Sequence, residues 1–128
     1  TAPEDIVEAV RYGIDMFDCV LPTRNARNGQ LFTSEGVINI RNAEYKDCDE
    51  PIDKNCNNKV SQNYSRAYLN HLHRTNEMLG AMLATYHNIS YYQSLMNDIR
   101  SAIKDNLFAK FIKDFYNKRN LDMPDGPI

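Results

Sequence analysis

Apolar positions along this chain keep a helical period in some stretches and a strand-like period in others. Pro3-Glu4-Asp5 places proline and two acids where a helix N-terminus favours them, and Ile6, Val7, Val10 and Ile14 follow at helical spacing. Gly13 is the expected left-handed cap of that helix. The apolar run 16–21 then predicts a strand. A period of two puts Met16, Asp18 and Val20 on one face and Phe17, Cys19 and Leu21 on the other. Helix, glycine and buried strand make half of an α/β unit. Such a strand has a parallel neighbour on each side, and no other segment of the chain reads as one.

Downstream, Gln30-Leu31-Phe32-Thr33 and the run 36–40, joined by Thr33-Ser34-Glu35-Gly36, predict a β-hairpin. Residues 42–63 turn polar, with Asp47, Asp49, Glu50 and Asp53, and read as a long loop, which in a compact domain serves a function or needs a staple. Helical periodicity returns with Tyr64, Tyr68, Leu69 and Leu72. After Asn76 a second, longer stripe runs through Leu79, Met82, Leu83, Tyr86, Ile89, Tyr92, Leu95, Met96, Ile99 and Ile103. A third comprises Phe108, Phe111, Ile112 and Phe115 and ends at Lys118-Arg119, cations suited to a helix C-terminus. The pattern divides the chain into a helix-strand unit (1–29), a hairpin and loop (30–62), a helical part (63–119) and a tail (120–128).

Composition narrows the picture. With 128 residues, 42% of them apolar, the chain is the size of one domain with a modest core. Fifteen Lys+Arg against 17 Asp+Glu give a net charge of −2, which argues against a broad nucleic-acid-coating surface, so any RNA contact is local. No apolar run approaches the ~18 residues that span a bilayer, and no membrane association is expected. Three cysteines without disulfide-framework spacing, behind a start that has neither a basic nor an apolar leader segment, fit a reducing, cytoplasmic setting.

Asp18 is the position that asks for chemistry. On a buried strand it points where a core residue would, and an unpaired carboxylate there is costly. One explanation is pairing with Arg24 or Arg27, or with backbone N–H groups at the strand end. The other is a nucleophile at the C-terminal end of a parallel barrel strand. Arg24 and Arg27 could equally be a solvated pair or ion-pair partners of Asp15 and Asp18. His71 and His73 share a polar helix face with Arg66 and Arg74; two residues apart they do not converge on a metal, and they read as solvated or subunit-contact surface.

The segment GIDMFDCVLPTRNARNG (13–29) closely resembles the nucleophile segment of the tRNA-guanine transglycosylases, also called queuine tRNA-ribosyltransferases. The likeness continues through INIRNAEY (38–45), NYSRAYLNHLHR (63–74) and EMLGAMLATYHN (77–88). It covers the C-terminal third of a family member. It implies an α/β fold, the C-terminal part of a (β/α)8 (TIM) barrel with a β-hairpin and a helical, zinc-subdomain-like insertion, of which this stretch is mostly α-helical. The residue matching Asp18 attacks the anomeric carbon of the wobble guanosine in that family, displaces guanine through a covalent aspartyl-ribosyl intermediate, and exchanges it for a 7-deazaguanine precursor of queuosine. The residues matching Arg24 and Arg27 contact the tRNA anticodon loop, and the relatives are homodimers, so a homo-oligomer is expected.

The same family closes a structural zinc site with Cys-x-Cys-x-x-Cys and a histidine of the following long helix. The matching positions here are Cys56, Asn58, Ser61 and His87. An amide and a hydroxyl do not replace thiolates in a tetrahedral S/N site, so zinc is expected to be lost or weak. The alternative to an enzyme part is a non-catalytic remnant of a split or decayed gene, acting as a dimerisation or RNA-contact module.

Overall fold

A computed structural model describes residues 2–127. Helix α1 (Pro3–Arg11) buries Ile6 and Val7, and Ala2 N–H is bonded to the Asp5 carboxylate at 3.1 Å. Its end is closed as the sequence suggests. Gly13 sits at φ 96° while its N–H donates to Val10 O and that of Ile14 to Ala9 O, a doubly bonded left-handed cap. Ile14, expected in the buried stripe, lies past that cap and is exposed.

No strand forms at 16–21. Residues 14–20 are irregular, and Leu21 begins a short helix, α2 (Leu21–Arg27), that the sequence reading missed although Pro22 is a first-turn signature. The physical reason is the one noted above: a strand needs neighbours to take its backbone bonds, and none is at hand. Period two survives without the strand. Phe17 and Cys19 pack on the core while Met16 and Val20 stand 85% and 66% exposed.

The hairpin forms as expected. β1 (Gln30–Thr33) pairs antiparallel with β2 (Gly36–Asn39), Leu31 opposite Ile38 and Phe32 opposite Val37. β1 is buried on both faces and separates two cores. Leu31 packs with Ala26, Ile40, Ile52, Val60, Leu69, Leu72 and Ala84; Phe32 packs with the α1 side chains and with Tyr91, Tyr92, Leu95, Ile99, Ile112, Phe115 and Tyr116. Residues 42–63 contain a 3-10 turn (Ala43–Tyr45) and a short helix, α3 (Lys59–Asn63). The described residues are mostly helical with this one two-stranded sheet, which suits a C-terminal piece of the larger fold. The barrel itself is not seen in them, and none of their helices is long and apolar enough to cross a membrane.

The three C-terminal helices lie where periodicity puts them: α4 (Arg66–Arg74), α5 (Met78–Lys104) and α6 (Phe108–Lys118). Two details differ. In the first half of α5 the expected stripe faces outward, with Leu79, Met82, Tyr86 and Ile89 exposed, and the buried side is Gly80, Ala84, His87 and Asn88. Gly80 explains the inversion. A Cβ there would meet Leu72 Cβ at 3.0 Å and the His73 backbone N at 3.3 Å, so α4 and α5 approach on the glycine side. His73, expected on the surface, is therefore buried, and its Nε2 has no partner among the described residues. Arg119, expected as a cation at the helix C-terminus, is also buried. It bridges Glu4 (2.8 Å), Thr33 O (3.0 Å) and the Tyr91 hydroxyl and lies 4.4 Å above the Phe115 ring, locking α6 onto α1 and β1.

Two adjacent polar residues join the layers. Asn88 Nδ2 donates to Pro22 O (3.0 Å) and Gln30 O (2.9 Å), and its Oδ1 accepts the Phe32 N–H at 3.1 Å. His87 Nε2 donates to Phe32 O at 2.7 Å, which leaves Nδ1 as the acceptor of the neutral ring. Replacing Asn88 by Ala strands two buried backbone groups and one half-buried one, and we expect a loss of roughly 3 kcal/mol in urea unfolding.

His73 sets a second expectation. Burial, then the nearby Arg41 charge, lower its pKa below the ordinary histidine value. A depressed histidine contributes stability that is present above its unfolded pKa and lost as pH falls below it. The urea midpoint should fall between pH 7 and pH 5, less steeply in His73→Met; an unchanged slope in that variant would exclude His73 as a contributor.

Candidate functional site

The stretch 13–29 is held at both ends and open in the middle. Its start is fixed by the Gly13 cap and its end by the Ile40 N–H, which donates to Gly29 O at 2.8 Å. Between them the buried side of α2, Pro22 and Ala26, lies against α5, and Asn88 fixes the Pro22 carbonyl. The helix starts on Val20 O, which accepts both the Arg24 N–H and the Thr23 hydroxyl at 3.0 Å. Arg24 and Arg27, three residues apart on this helix, share its exposed side. They lie on a helix and not in a loop.

Asp18 lies in the irregular segment just before α2 and is exposed. Among the described residues its carboxylate joins no ion pair or hydrogen bond, and neither guanidinium of Arg24 or Arg27 does. Among the described residues Asp18 makes none of the pairings that would have made it merely structural. A groove of 540 Å3 beside the segment is lined by Met16, Phe17, Thr23, Tyr92, Met96 and Arg100 among others, and not by Asp18, Arg24 or Arg27. An accessible carboxylate preceding a helix with two unpartnered guanidiniums can attack an electrophilic carbon and hold base edges or phosphates in a fixed fork.

The second cluster is where the resemblance implies zinc, and its residues are indeed brought together. Asn58 caps α3 by accepting the Ser61 N–H at 2.9 Å, and its Nδ2 donates to His87 Nδ1 at 3.1 Å. Ser61 Oγ donates to Asp53 O (2.8 Å) and accepts the Asp53 N–H (3.1 Å). The Cys56 thiol donates to Asp53 Oδ2 at 3.3 Å. Burial and the neighbouring Asp53 charge push that thiol up to about 12, far from a thiolate, and burial lowers the pKa of His87. Asp53, which the sequence marked only as loop polarity, is the hub. Its carboxylate also accepts from Ser34 N (2.6 Å), Ser34 Oγ (2.9 Å) and Asn55 N (3.0 Å). Burial alone would raise its pKa, but these donors hold it below the usual carboxylate value.

This donor set does not fit a tetrahedral metal. The imidazole lone pair is taken by an amide, the thiol proton is taken by a carboxylate, and among the described residues no three His, Cys, Asp or Glu side chains converge to hold an ion.

The queuine tRNA-ribosyltransferase family model matches residues 1–121. A queuine tRNA-ribosyltransferase of Shewanella oneidensis is 58% identical over 123 residues, 96% of this chain and 33% of the relative; that of Idiomarina loihiensis is 57% identical over 122 residues, 95% and 33%. The chain thus spans about a third of the length of the curated relatives it matches. By that match along nearly its whole length, the chain belongs to the queuine tRNA-ribosyltransferase family.

Proposed function

We propose that this chain carries the nucleophile of a tRNA-guanine exchange, with Asp18 in that role. A carboxylate oxygen of Asp18 bonds to C1′ of the wobble guanosine as the C1′–N9 bond breaks and guanine leaves with the electron pair, protonated by an acid elsewhere in the complete protein. The N9 of a 7-deazaguanine-type base, after losing its proton, then displaces the aspartate. A carboxylate suits both steps because it is a competent nucleophile toward an oxocarbenium-like centre and a competent leaving group from it. Arg24 and Arg27 contact the tRNA anticodon loop next to the target. The observation that carries the reading is an accessible, unpaired Asp18 at the head of an α2 whose free side bears both arginines.

The second reading, a non-catalytic dimerisation or RNA-contact module, is favoured by Asn58 and Ser61 standing where the resemblance implies thiolates. The uncovered apolar side of α5, Met78, Met82, Tyr86 and Ile89, supports self-association under either reading. Sedimentation equilibrium should show species above the monomer mass, and a single monomeric species at all concentrations would exclude it.

Incorporation of radiolabelled guanine into a cognate tRNA separates the two. In the complete protein, Asp18→Asn should lower exchange by roughly 10^3-fold or more and abolish the covalent tRNA adduct. Arg24→Ala and Arg27→Ala should mainly raise KM for tRNA, each by about 1–3 kcal/mol. The 128-residue chain spans about a third of its relatives' length, and by itself it should give no measurable exchange. Full exchange in Asp18→Asn protein would refute the assignment.

A further inference from the structure

Family resemblance places a zinc staple under the polar loop, and the residues present do not fit one. We propose that a closed set of direct hydrogen bonds, Asn58 to His87 with Asp53 to Ser61, Cys56 and Ser34, has taken over the stapling, so that the fold is independent of metal.

The two replacement residues do different jobs. Asn58 uses both ends of its amide: the oxygen caps α3 through the Ser61 N–H, and the nitrogen crosses to the imidazole of α5. The second bond would not survive ligation of an ion by His87, because one Nδ1 lone pair cannot serve both the amide and the ion. Ser61 turns away from the imidazole and exchanges two bonds with the Asp53 backbone, closing a tight loop over residues 53–61. Asp53 then ties that loop to the hairpin turn through Ser34, and Asn55 Nδ2 adds a bond to Ser34 Oγ at 3.0 Å. His87 Nε2 completes the circuit to β1 through Phe32 O. Loop, hairpin and α5 are thereby joined without a gap that an ion is needed to fill. Both Asp53 and His87 are buried and have their hydrogen-bonding capacity used, which is the condition for a buried polar cluster to hold a structure together rather than weaken it. The polar loop has few large apolar side chains, so it depends on such ties.

The test reads metal content and stability, so its outcome is separate from whether Asp18 is a nucleophile. After dialysis the chain should contain far less than one zinc per molecule by elemental analysis, and its urea midpoint should be the same with and without a strong chelator. About one zinc per chain, or a midpoint lowered by chelation, would overturn the proposal, and these two measurements need no variant. Asn58→Ser keeps an N-cap residue but is too short to reach His87, so it should raise the unfolding equilibrium constant about five- to tenfold. No change in Asn58→Ser would remove the Asn58–His87 bond from the staple and overturn the proposal as stated. Asn58→Cys combined with Ser61→Cys should bind about one zinc and become chelator-sensitive. A double variant that folds but takes up no zinc would show that the two substitutions are not what displaced the metal.

Discussion

The polar pair His87–Asn88 on the inner side of α5 is the constraint on which the remaining arrangement depends. Strand β1 is buried on both faces and paired on one edge only, so the backbone groups of its other edge need partners. His87 and Asn88 supply them at Gln30 and Phe32. A two-stranded hairpin is marginal by itself, and here the helix acts in place of a third strand. Because Asn88 also holds the Pro22 carbonyl, the contact that secures the sheet also orients the helix bearing Arg24 and Arg27.

Around this pair the molecule divides its tasks. The Leu31 side of β1 organises α2, α3, α4 and the loop, while the Phe32 side organises α1, the second half of α5 and α6. Burying each of these large side chains contributes about 1.5–3 kcal/mol, yet hydrophobic contact alone would let the layers slide. Arg119 fixes one core by joining Glu4, Thr33 and Tyr91, and the Asp53 cluster fixes the other side by joining loop to turn. The segment with Asp18 lies outside both networks, which leaves its carboxylate accessible between two anchored ends.

Much of this can be read from residue patterns. The hairpin, the three C-terminal helices and the Gly13 cap follow from periodicity and local preferences, which act over a few neighbouring positions. The resemblance in 13–29 marked Asp18, Arg24 and Arg27, and the family match spans that segment. Pattern failed where the deciding partner is distant in sequence. The run 16–21 has strand composition, but pairing is supplied by other segments. The outward turn of Met82 and Tyr86 depends on Gly80 meeting Leu72 and His73, and a periodic stripe carries no record of that approach. Asn88, Asp53 and Arg119 are polar residues that periodicity assigns to the surface; their burial follows from carbonyls and amides 56, 19 and 86 positions away.

Native-state hydrogen exchange at the Phe32 amide tests the His87–Asn88 constraint most directly, because that N–H is donated to the Asn88 side chain and not to another strand. It should exchange only with global unfolding, as slowly as the central amides of α5. Exchange at the rate of amides in the loop 42–63 would show that α5 does not hold the hairpin, and the arrangement described for the Asp18 segment would lose its support.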